Sequence, residues 1–315
     1  MSFDADTLAA AVALRGRVAR VGVAAAEGST PREVGAAMLV WPGGQEGTIG
    51  GGTLEHAAAA RAREALDTRR DRLDRIPLGP ALGQCCGGGV TLVTEVWDAM
   101  RLQDATGEVI ARPLPGLAAE MPLAVTRLLN AARAKGTVPA PGIVAGWMVE
   151  PRLRPTRALW LYGAGHVGRA VVEVLAPLPD LAITWVDTGA DRFPDTVPAN
   201  VTPLVAVNPA KAVRHAPTDA DHLIMTYSHA LDLELCHRLL LHGFASAGLI
   251  GSKTKWARFR TRLRQLGHSD ARISGIACPI GDPALGKHPQ AIAVGVASAL
   301  LRPQGTKSAA KDATG

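Results

Sequence analysis

Aromatic residues and cysteines are scarce in this chain of 315 residues. Phenylalanine, tryptophan and tyrosine together make up 4% of it, and its four cysteines include no C-x-x-C pair. Structural zinc sites usually take two ligands from such a pair, so the sequence does not indicate zinc. Cys85 and Cys86 are adjacent, and adjacent residues rarely form a disulfide with each other. We therefore expect reduced thiols in a cytoplasmic protein.

Long apolar runs and a strong excess of one charge are also lacking. No apolar stretch approaches the ~18–20 residues that span a bilayer, and the start of the chain has no signal-peptide pattern. The net charge is +6, and no run of basic residues is interleaved with aromatics. A G-x-x-x-x-G-K-S/T loop for a triphosphate is absent as well. We expect a soluble protein that contacts neither a membrane nor nucleic acid.

Glycine and proline, in contrast, are plentiful, with 34 and 22 residues. They indicate many tight turns, and the length suffices for two domains. We predict an N-terminal α+β domain over residues 1–150 and a C-terminal Rossmann-like domain over residues 156–301. The latter is a doubly wound parallel α/β sheet. The polar residues 302–315 are predicted to be a disordered tail.

The stretch from 98 to 155 carries the weakest signals. Residues 103–115 are typical of a loop, 122–134 have helical character and 143–149 resemble a strand. We place no site residue in this stretch.

The motif G-x-G-x-x-G occurs at Gly163, Gly165 and Gly168, between an apolar run over 158–162 and a helical pattern over 167–175. In this context the first glycine permits a tight turn, the second lets a phosphate approach, and the third lets helix and strand pack closely. The N–H groups at the helix start form an anion site. The motif predicts a Rossmann-type domain, and it leaves dinucleotide binding open because folds outlive functions.

Two polar residues follow other predicted strands of this domain. Asp187 ends the apolar run 181–186, where a dinucleotide-binding fold places the acid that holds a ribose hydroxyl. His229 follows the strand 222–225, at the carboxyl edge where ligands bind. A structural role for His229 fits equally well. Together these residues support one interpretation, an NAD(P)-dependent oxidoreductase with His229 or His166 as acid or base.

In the N-terminal half, three successive glycines, Gly50, Gly51 and Gly52, precede a helical segment for which Thr53 is the expected N-cap. Such a run brings the backbone close to a neighbour. It is either a second phosphate cradle or a tight turn from strand to helix. Glu55 lies just after this glycine turn. Arg32 lies at the end of an earlier turn of small polar residues, over 27–32.

Cys85 and Cys86 stand directly before Gly87, Gly88 and Gly89. Cysteine thiolates bind soft metals, carry sulfur and attack electrophiles, and glycines would leave the sulfur uncovered. The alternative is a pair of small buried residues in a turn.

Taken together, these motifs resemble the XdhC/CoxI family of xanthine dehydrogenase accessory proteins. The resemblance covers about residues 15–100 and 155–301. It rests on the order and spacing of seven stretches, which are 28–32, 50–55, 83–88, 163–168, 225–231, 248–253 and 278–281.

The resemblance implies a chaperone of the molybdenum cofactor (molybdopterin) rather than an enzyme, with no catalytic residue of its own. Such a protein binds the cofactor, supports exchange of an oxo for a sulfido ligand, and delivers it to apo xanthine dehydrogenase. The implied partners are the molybdenum subunit of that enzyme, a cysteine desulfurase and enzymes of cofactor biosynthesis. The sequence leaves a homo-oligomer open.

The residues expected to bind the cofactor share a place in these motifs. They are Arg32, Gly50, Gly51, Gly52, Glu55, Cys85, Cys86, Gly163, Gly165, Gly168, Asp187 and His229. Because Cys86 lies directly against Gly87–Gly88, we expect it to face the molybdenum. The alternative interpretation is the NAD(P)-dependent oxidoreductase that uses Gly163, Gly165, Gly168 and Asp187.

Overall fold

The computed structural model describes residues 3–79, 87–117 and 120–302, and the chain divides into two units after Leu153. The predicted tail over 302–315 lies outside the described residues from position 303 onward. Among the helices that the structure describes, none has the length and apolar character needed to cross a membrane.

The first unit is organised around one long antiparallel ribbon. Its elements in chain order are α1 (Ala5–Arg15), β1 (Arg17–Glu27), β2 (Ala37–Trp41), β3 (Gly44–Gly47), α2 (Gly52–Thr68), β4 (Arg72–Pro77), β5 (Gly89–Asp98), α3 (Ala99–Leu102), β6 (Val109–Pro113), α4 (Leu123–Lys135), β7 (Gly142–Val144) and β8 (Trp147–Pro151). One antiparallel sheet has the order β3-β2-β1-β5-β4, and a smaller one has the order β6-β8-β7. The β1–β5 ribbon runs from the Arg17–Asp98 pair to the Glu27–Gly89 pair. The rise per strand residue places the two ends of this ribbon about 30 Å apart.

The two faces of β1 bury different side chains, as its alternating geometry requires. Ala19, Val21 and Val23 join the apolar cluster that α2 covers. Arg20 points to the other face, is 2% exposed and donates from Nη2 to Glu150 Oε1 at 2.6 Å. An ionic cluster therefore occupies the interior on that side.

Four buried charges in this cluster connect the two sheets. Arg112 on β6 donates from Nε to Glu95 Oε1 on β5 at 2.6 Å, and its Nη2 also donates to Glu150 on β8. With Arg20, two arginines balance two glutamates, so the cluster buries no net charge. Arg112 occupies a buried position of β6, where a strand usually has an apolar residue. The sequence of β6 therefore lacks the alternation of apolar and polar residues that predicts a strand.

Two secondary-structure predictions in this region were wrong. Residues 103–115 contain the strand β6, which was expected to be a loop. The expected single strand over 143–149 is a hairpin, since Ala145 and Gly146 take positive φ values of 46° and 83° between β7 and β8. The predicted helix over 122–134 is present as α4.

The second unit confirms the Rossmann-like fold. Its elements in chain order are β9 (Arg157–Tyr162), α5 (His166–Leu175), β10 (Leu181–Asp187), β11 (Val201–Val205), α6 (Pro209–Ala212), β12 (Asp221–Ile224), α7 (His229–His242), β13 (Ser246–Leu249), α8 (Lys253–Gln265), α9 (Asp270–Ile273), β14 (Ile276–Ala277) and α10 (Pro289–Leu301). The sheet is parallel, with the order β11-β10-β9-β12-β13-β14. This is the strand order of the dinucleotide-binding Rossmann fold.

Helices cover both faces of this sheet, so the strands are apolar on both sides. Leu159 and Leu161 of β9 pack into the cluster that contains α5 and α10. Trp160 and Tyr162 of the same strand pack into the opposite cluster, with α7 and α8. The double covering explains why β9 has a continuous apolar sequence.

Candidate functional site

Three glycine-containing turns of the first unit meet at one end of the β1–β5 ribbon. A Cβ added at Gly50 would overlap the Cβ of Pro31. A Cβ added at Gly88 would lie 2.5 Å from the carbonyl oxygens of Glu27 and Ser29. Only glycine permits these approaches of one turn to another. The structure therefore brings together the turns over 27–32, 50–52 and 87–89, which are distant in sequence.

The glycine run at the start of α2 has an unusual backbone. Gly50, Gly51 and Gly52 have φ values of +127°, +74° and +62°, a region that side chains disfavour. Among the described residues, no atom lies within 4 Å of a Cβ added at Gly51 or Gly52, so this part of the turn is open. The prediction of Thr53 as N-cap was wrong: α2 begins at Gly52, and its N-cap Gly51 gives no side-chain cap. The first-turn amides are thus not satisfied by a capping side chain.

Glu55 holds this turn in place. Its Oε2 accepts hydrogen bonds from the Gly51 amide at 3.0 Å, the Ile49 amide at 3.1 Å and Thr48 Oγ1 at 2.5 Å. Its Oε1 accepts one from Gln45 Nε2 at 3.1 Å. Partial burial acts to raise the pKa of Glu55, but these hydrogen bonds outweigh it and the pKa is lowered. Glu55 is a positioning residue, since its carboxylate is engaged by the turn itself.

Arg32 lies in the neighbouring turn and is paired with its neighbour. Its Nε is 3.2 Å from Glu33 Oε2, and this hydrogen bond lowers the pKa of Glu33. The Arg32 side chain is 25% exposed and that of Glu33 is 57% exposed. Because the pair is at the surface, Arg32 can exchange Glu33 for another anion at small energetic cost.

Cys85 and Cys86 lie outside the described residues. The chain that follows them is described from Gly87 onward, and Gly88 packs into the cluster of turns. Within the described part of the chain, no three His, Cys, Asp or Glu side chains are grouped closely enough to hold a metal ion.

In the second unit the three motif glycines have separate structural roles. A Cβ at Gly163, where φ is +115°, would lie 2.5 Å from the Met225 carbonyl oxygen at the end of β12. A Cβ at Gly168 would overlap the Gly163 carbonyl oxygen. Gly165 is the N-cap of α5, is exposed, and has open space where its Cβ would be. Gly165 is therefore the position of this loop that a ligand can approach.

Asp187 ends β10 as expected, but its carboxylate turns back onto the glycine loop. Oδ2 accepts the Ala164 amide at 2.6 Å, and Oδ1 accepts the Thr188 amide at 2.6 Å. Arg192 Nε is 3.7 Å from Oδ1. Asp187 is 5% exposed. Both oxygens are thus engaged by the protein at the position where a ribose hydroxyl would bind.

His229 is the first residue of α7 and is exposed. Beside it lies a buried network that the sequence did not reveal. Asp232 Oδ1 accepts Thr226 Oγ1 at 2.7 Å, and Asp232 Oδ2 accepts Lys255 Nζ at 2.6 Å. The network ties the ends of β12 and β13 to α7 and α8. Ser228, the N-cap of α7, accepts the Leu231 amide at 3.3 Å beside this network.

Comparison with known proteins supports this description of the two units. A family model for the XdhC and CoxI family matches residues 11–77, and a model for the XdhC Rossmann domain matches residues 159–300. YqeB of Escherichia coli strain K12, described as uncharacterized, is 25% identical over 280 residues. That alignment covers 87% of this chain but 41% of YqeB, so the chain spans about two fifths of that relative.

A solved structure has the same fold over nearly the whole chain. It is described as a xanthine dehydrogenase from Bacillus halodurans, with a TM-score of 0.69 and 18% identity, and the match covers 97% of this chain and 98% of that one. The two family models match in the order in which the two units follow each other. Together they match about two thirds of the chain, which therefore belongs to the XdhC and CoxI family.

Proposed function

We propose that this protein binds the molybdenum cofactor and acts as an accessory protein in the maturation of xanthine dehydrogenase. It supports sulfuration of the cofactor and its insertion into the apo enzyme, and it is not itself an enzyme. Membership of the XdhC and CoxI family supports the accessory role. The observation that carries the proposal is the open Gly51–Gly52 turn at the start of α2, beside the turn that follows the Cys85–Cys86 pair.

The residues of this turn fit the phosphate of a pyranopterin. Gly51 and Gly52 leave space for an oxygen to approach the backbone, and the first-turn amides of α2 are hydrogen-bond donors at the positive end of a 17-residue helix. Glu55 keeps the turn in this conformation, since it accepts the Gly51 amide. Arg32, whose partner Glu33 is at the surface, supplies a cation to the same anion.

The cysteine pair would act on the metal side of the cofactor. When bound, the cofactor supplies a molybdenum centre on which a terminal oxo ligand is replaced by sulfido. We propose that Cys86 faces the molybdenum or accepts sulfur from a cysteine desulfurase. Gly88, two residues further along the chain, packs against Glu27 and Ser29 and anchors the following segment in the cluster of turns.

Cofactor retention tests the proposal directly. The purified protein is mixed anaerobically with released molybdenum cofactor, and pterin and molybdenum are measured after gel filtration. We expect near-stoichiometric retention, loss in Cys86→Ala and in Gly52→Glu, and no change in Cys278→Ala. The glutamate places a side chain and a negative charge in the open turn. Absence of retention by the wild-type protein contradicts the proposal.

Delivery is measured in a second assay. Apo xanthine dehydrogenase is incubated with the loaded protein, with or without a cysteine desulfurase and cysteine, and its activity is followed. We expect activation that depends on the desulfurase and that Cys86→Ala reduces strongly. Activation that is equal with free cofactor argues against an accessory role.

A second candidate function is NAD(P) binding by the second unit. The strand order of its sheet and the open Gly165 favour it. The engagement of both Asp187 oxygens weighs against it. Titration with NADH, followed by its fluorescence, distinguishes the two candidates. Tight NADH binding that Gly165→Glu abolishes would support the oxidoreductase.

A further inference from the structure

A cleft of about 500 Å³ lies at the end of the first unit opposite the glycine turns. It is formed where β1 begins and β5 ends, together with the segments after α2 and β6. Its charged lining residues are Arg17, Arg69, Arg70, Asp71, Asp98 and Arg101. Four arginines against two aspartates leave two net positive charges in the cleft.

Both aspartates of the cleft are already engaged by the protein. Asp71 Oδ1 accepts the Val96 amide at 2.8 Å and Arg101 Nη1 at 2.9 Å. Asp98 Oδ1 accepts the Met100 and Arg101 amides at 3.1 and 3.0 Å and so caps α3. Asp71 Oδ2 also pairs with Arg101 Nη2 at 2.8 Å. The contacts that the structure gives these two carboxylates are thus to Arg101 and to backbone amides, and Arg69 and Arg70 are not among them.

Of the four arginines, Arg69 and Arg70 are available to a ligand. Arg17 lies directly across the β1–β5 ribbon from Asp98. Arg101 donates to the Val96 carbonyl at 2.8 Å and lies 4.6 Å over the Trp97 ring, so its guanidinium is held in place. Neither the Arg69 nor the Arg70 side chain makes a hydrogen bond or ion pair with any residue that the structure describes. Arg69 also has a positive φ of 53° at the C-cap of α2, where glycine is the usual residue. An arginine there is strained and exposed, which suggests a use for its side chain.

Three exposed apolar residues lie close in sequence to residues that line this cleft. Leu14, Met100 and Leu117 are 74%, 76% and 54% exposed, and each lies within three residues of a lining residue. Arginine and methionine are both enriched at protein–protein interfaces relative to the rest of the surface. A free phosphate would make no favourable contact with these apolar side chains.

We propose that this cleft is a docking surface for a partner protein, and that its occupant is an acidic segment carrying an apolar side chain. Arg69 and Arg70 bind the carboxylates, because guanidinium groups pair with carboxylates in a bidentate geometry. Met100 and Leu14 contact the apolar side chain. The surface is separated from the glycine turns by the length of the β1–β5 ribbon, so a partner docks without covering the proposed cofactor site of this unit.

Binding of a short peptide tests this proposal on the full chain. The probe is a fluorescein-labelled peptide of sequence Glu-Asp-Leu-Asp-Glu, and its anisotropy is measured at low ionic strength. The comparison peptides are Gln-Asn-Leu-Asn-Gln and Glu-Asp-Ala-Asp-Glu. The test variant is Arg69→Glu/Arg70→Glu. The matched control is Arg127→Glu/Arg133→Glu, which makes the same charge change at two exposed positions of α4.

We expect the acidic leucine peptide to bind best and to lose affinity about tenfold or more in the test variant, because like charges then face each other. The control variant should lose much less, and added salt should weaken binding. Met100→Ala should weaken the leucine peptide but not the alanine peptide, which keeps the test valid if the double variant unfolds.

Three results would overturn the proposal. One is an equal loss of peptide affinity in the test and control variants, since binding would then depend only on the net charge of the protein. Another is full competition by pyrophosphate with no preference for the leucine peptide, which indicates a small-anion site. The third is a self-association that the Arg69→Glu/Arg70→Glu change abolishes, which assigns the surface to a second copy of the chain.

Discussion

The Asp187 carboxylate lies 2.6 Å from the Ala164 backbone nitrogen and accepts its hydrogen bond. A residue that the sequence assigns to a ribose hydroxyl thus fastens the glycine loop to the end of β10. The Trp185 indole on β10 donates to the Gly163 carbonyl at 3.0 Å and holds the same loop from that strand. The loop is therefore held in its conformation by hydrogen bonds within the protein.

Replacing Asp187 should destabilise the protein without requiring any ligand. In Asp187→Ala the buried Ala164 amide and the Thr188 amide lose their acceptor, at a cost of about 1–3 kcal/mol of unfolding free energy. Urea unfolding measures the change. Asp191→Ala, at an exposed position of the following turn, is the control and should be close to wild type. Equal midpoints for both variants would contradict the role of Asp187.

Removing the charge of Glu150 should have a larger effect. Glu150 is fully buried and accepts hydrogen bonds from Arg20 and Arg112. The variant Glu150→Gln leaves an uncompensated positive charge in the interior, and loss of one member of a buried pair costs about 3–5 kcal/mol. Urea unfolding beside the exposed control Glu46→Gln checks this. If Glu150→Gln lowers the free energy of unfolding by less than the surface substitution Glu46→Gln does, the ionic cluster does not stabilise the fold.

The same carboxylate should make stability depend on pH. Burial acts to raise the pKa of Glu150, but the charges and hydrogen bonds of Arg20 and Arg112 lower it by more. The pKa of Glu150 is therefore below its ordinary value of 4.5. Its stabilising contribution is therefore complete above the unfolded-state pKa and is lost as the pH falls through the folded-state pKa. We expect the Tm of the wild type to decrease as the pH is lowered below about 4.5. Glu150→Gln should show a shallower fall in a series of thermal scans.

The glycines of the second unit should differ sharply in their tolerance of alanine. Gly165 has an ordinary φ of −74° and open space at its Cβ position, so Gly165→Ala should change stability by less than about 0.5 kcal/mol. In Gly168→Ala the new Cβ would overlap the Gly163 carbonyl oxygen, and such overpacking costs about 1–3 kcal/mol. Thermal unfolding of the two variants gives the comparison. Equal effects would mean that α5 can move away from the loop.

The two cysteines of the second unit should react slowly. Burial raises the pKa of the Cys278 thiol to about 11, with Asp232 raising and Lys255 lowering it. Burial also raises the pKa of Cys236, which is fully buried. At pH 8 only about one Cys278 thiol in a thousand is then the reactive thiolate. In the Cys85→Ala/Cys86→Ala variant we expect slow labelling by iodoacetamide, accelerated by urea, with mass spectrometry as the measurement. Rapid labelling of Cys278 in the folded protein would contradict this.

Local sequence patterns were sufficient to predict the structure where each residue meets a requirement of its immediate neighbours in the chain. The run 158–162, the glycine motif and the helix after it predicted β9, the loop and α5, because each glycine meets a local steric requirement. The pattern failed at β6, because the buried Arg112 is stabilised by Glu95 and Glu150 from other strands. A charge that is neutralised only by distant residues cannot be distinguished in the sequence from a charge in a loop.

By itself, the sequence determined the Rossmann-like sheet and the family, because those depend on periodicity, on glycines with local roles and on the order of short motifs. Only the tertiary structure decided which residues meet. It placed Pro31 against Gly50 and Gly88 against Glu27 and Ser29, and it turned Glu55 and Asp187 onto their own loops. It also collected Arg17, Arg69, Arg70 and Arg101 around one cleft. The reason is that a carboxylate or guanidinium is directed by the partners that folding brings to it, and those partners are far away in the chain.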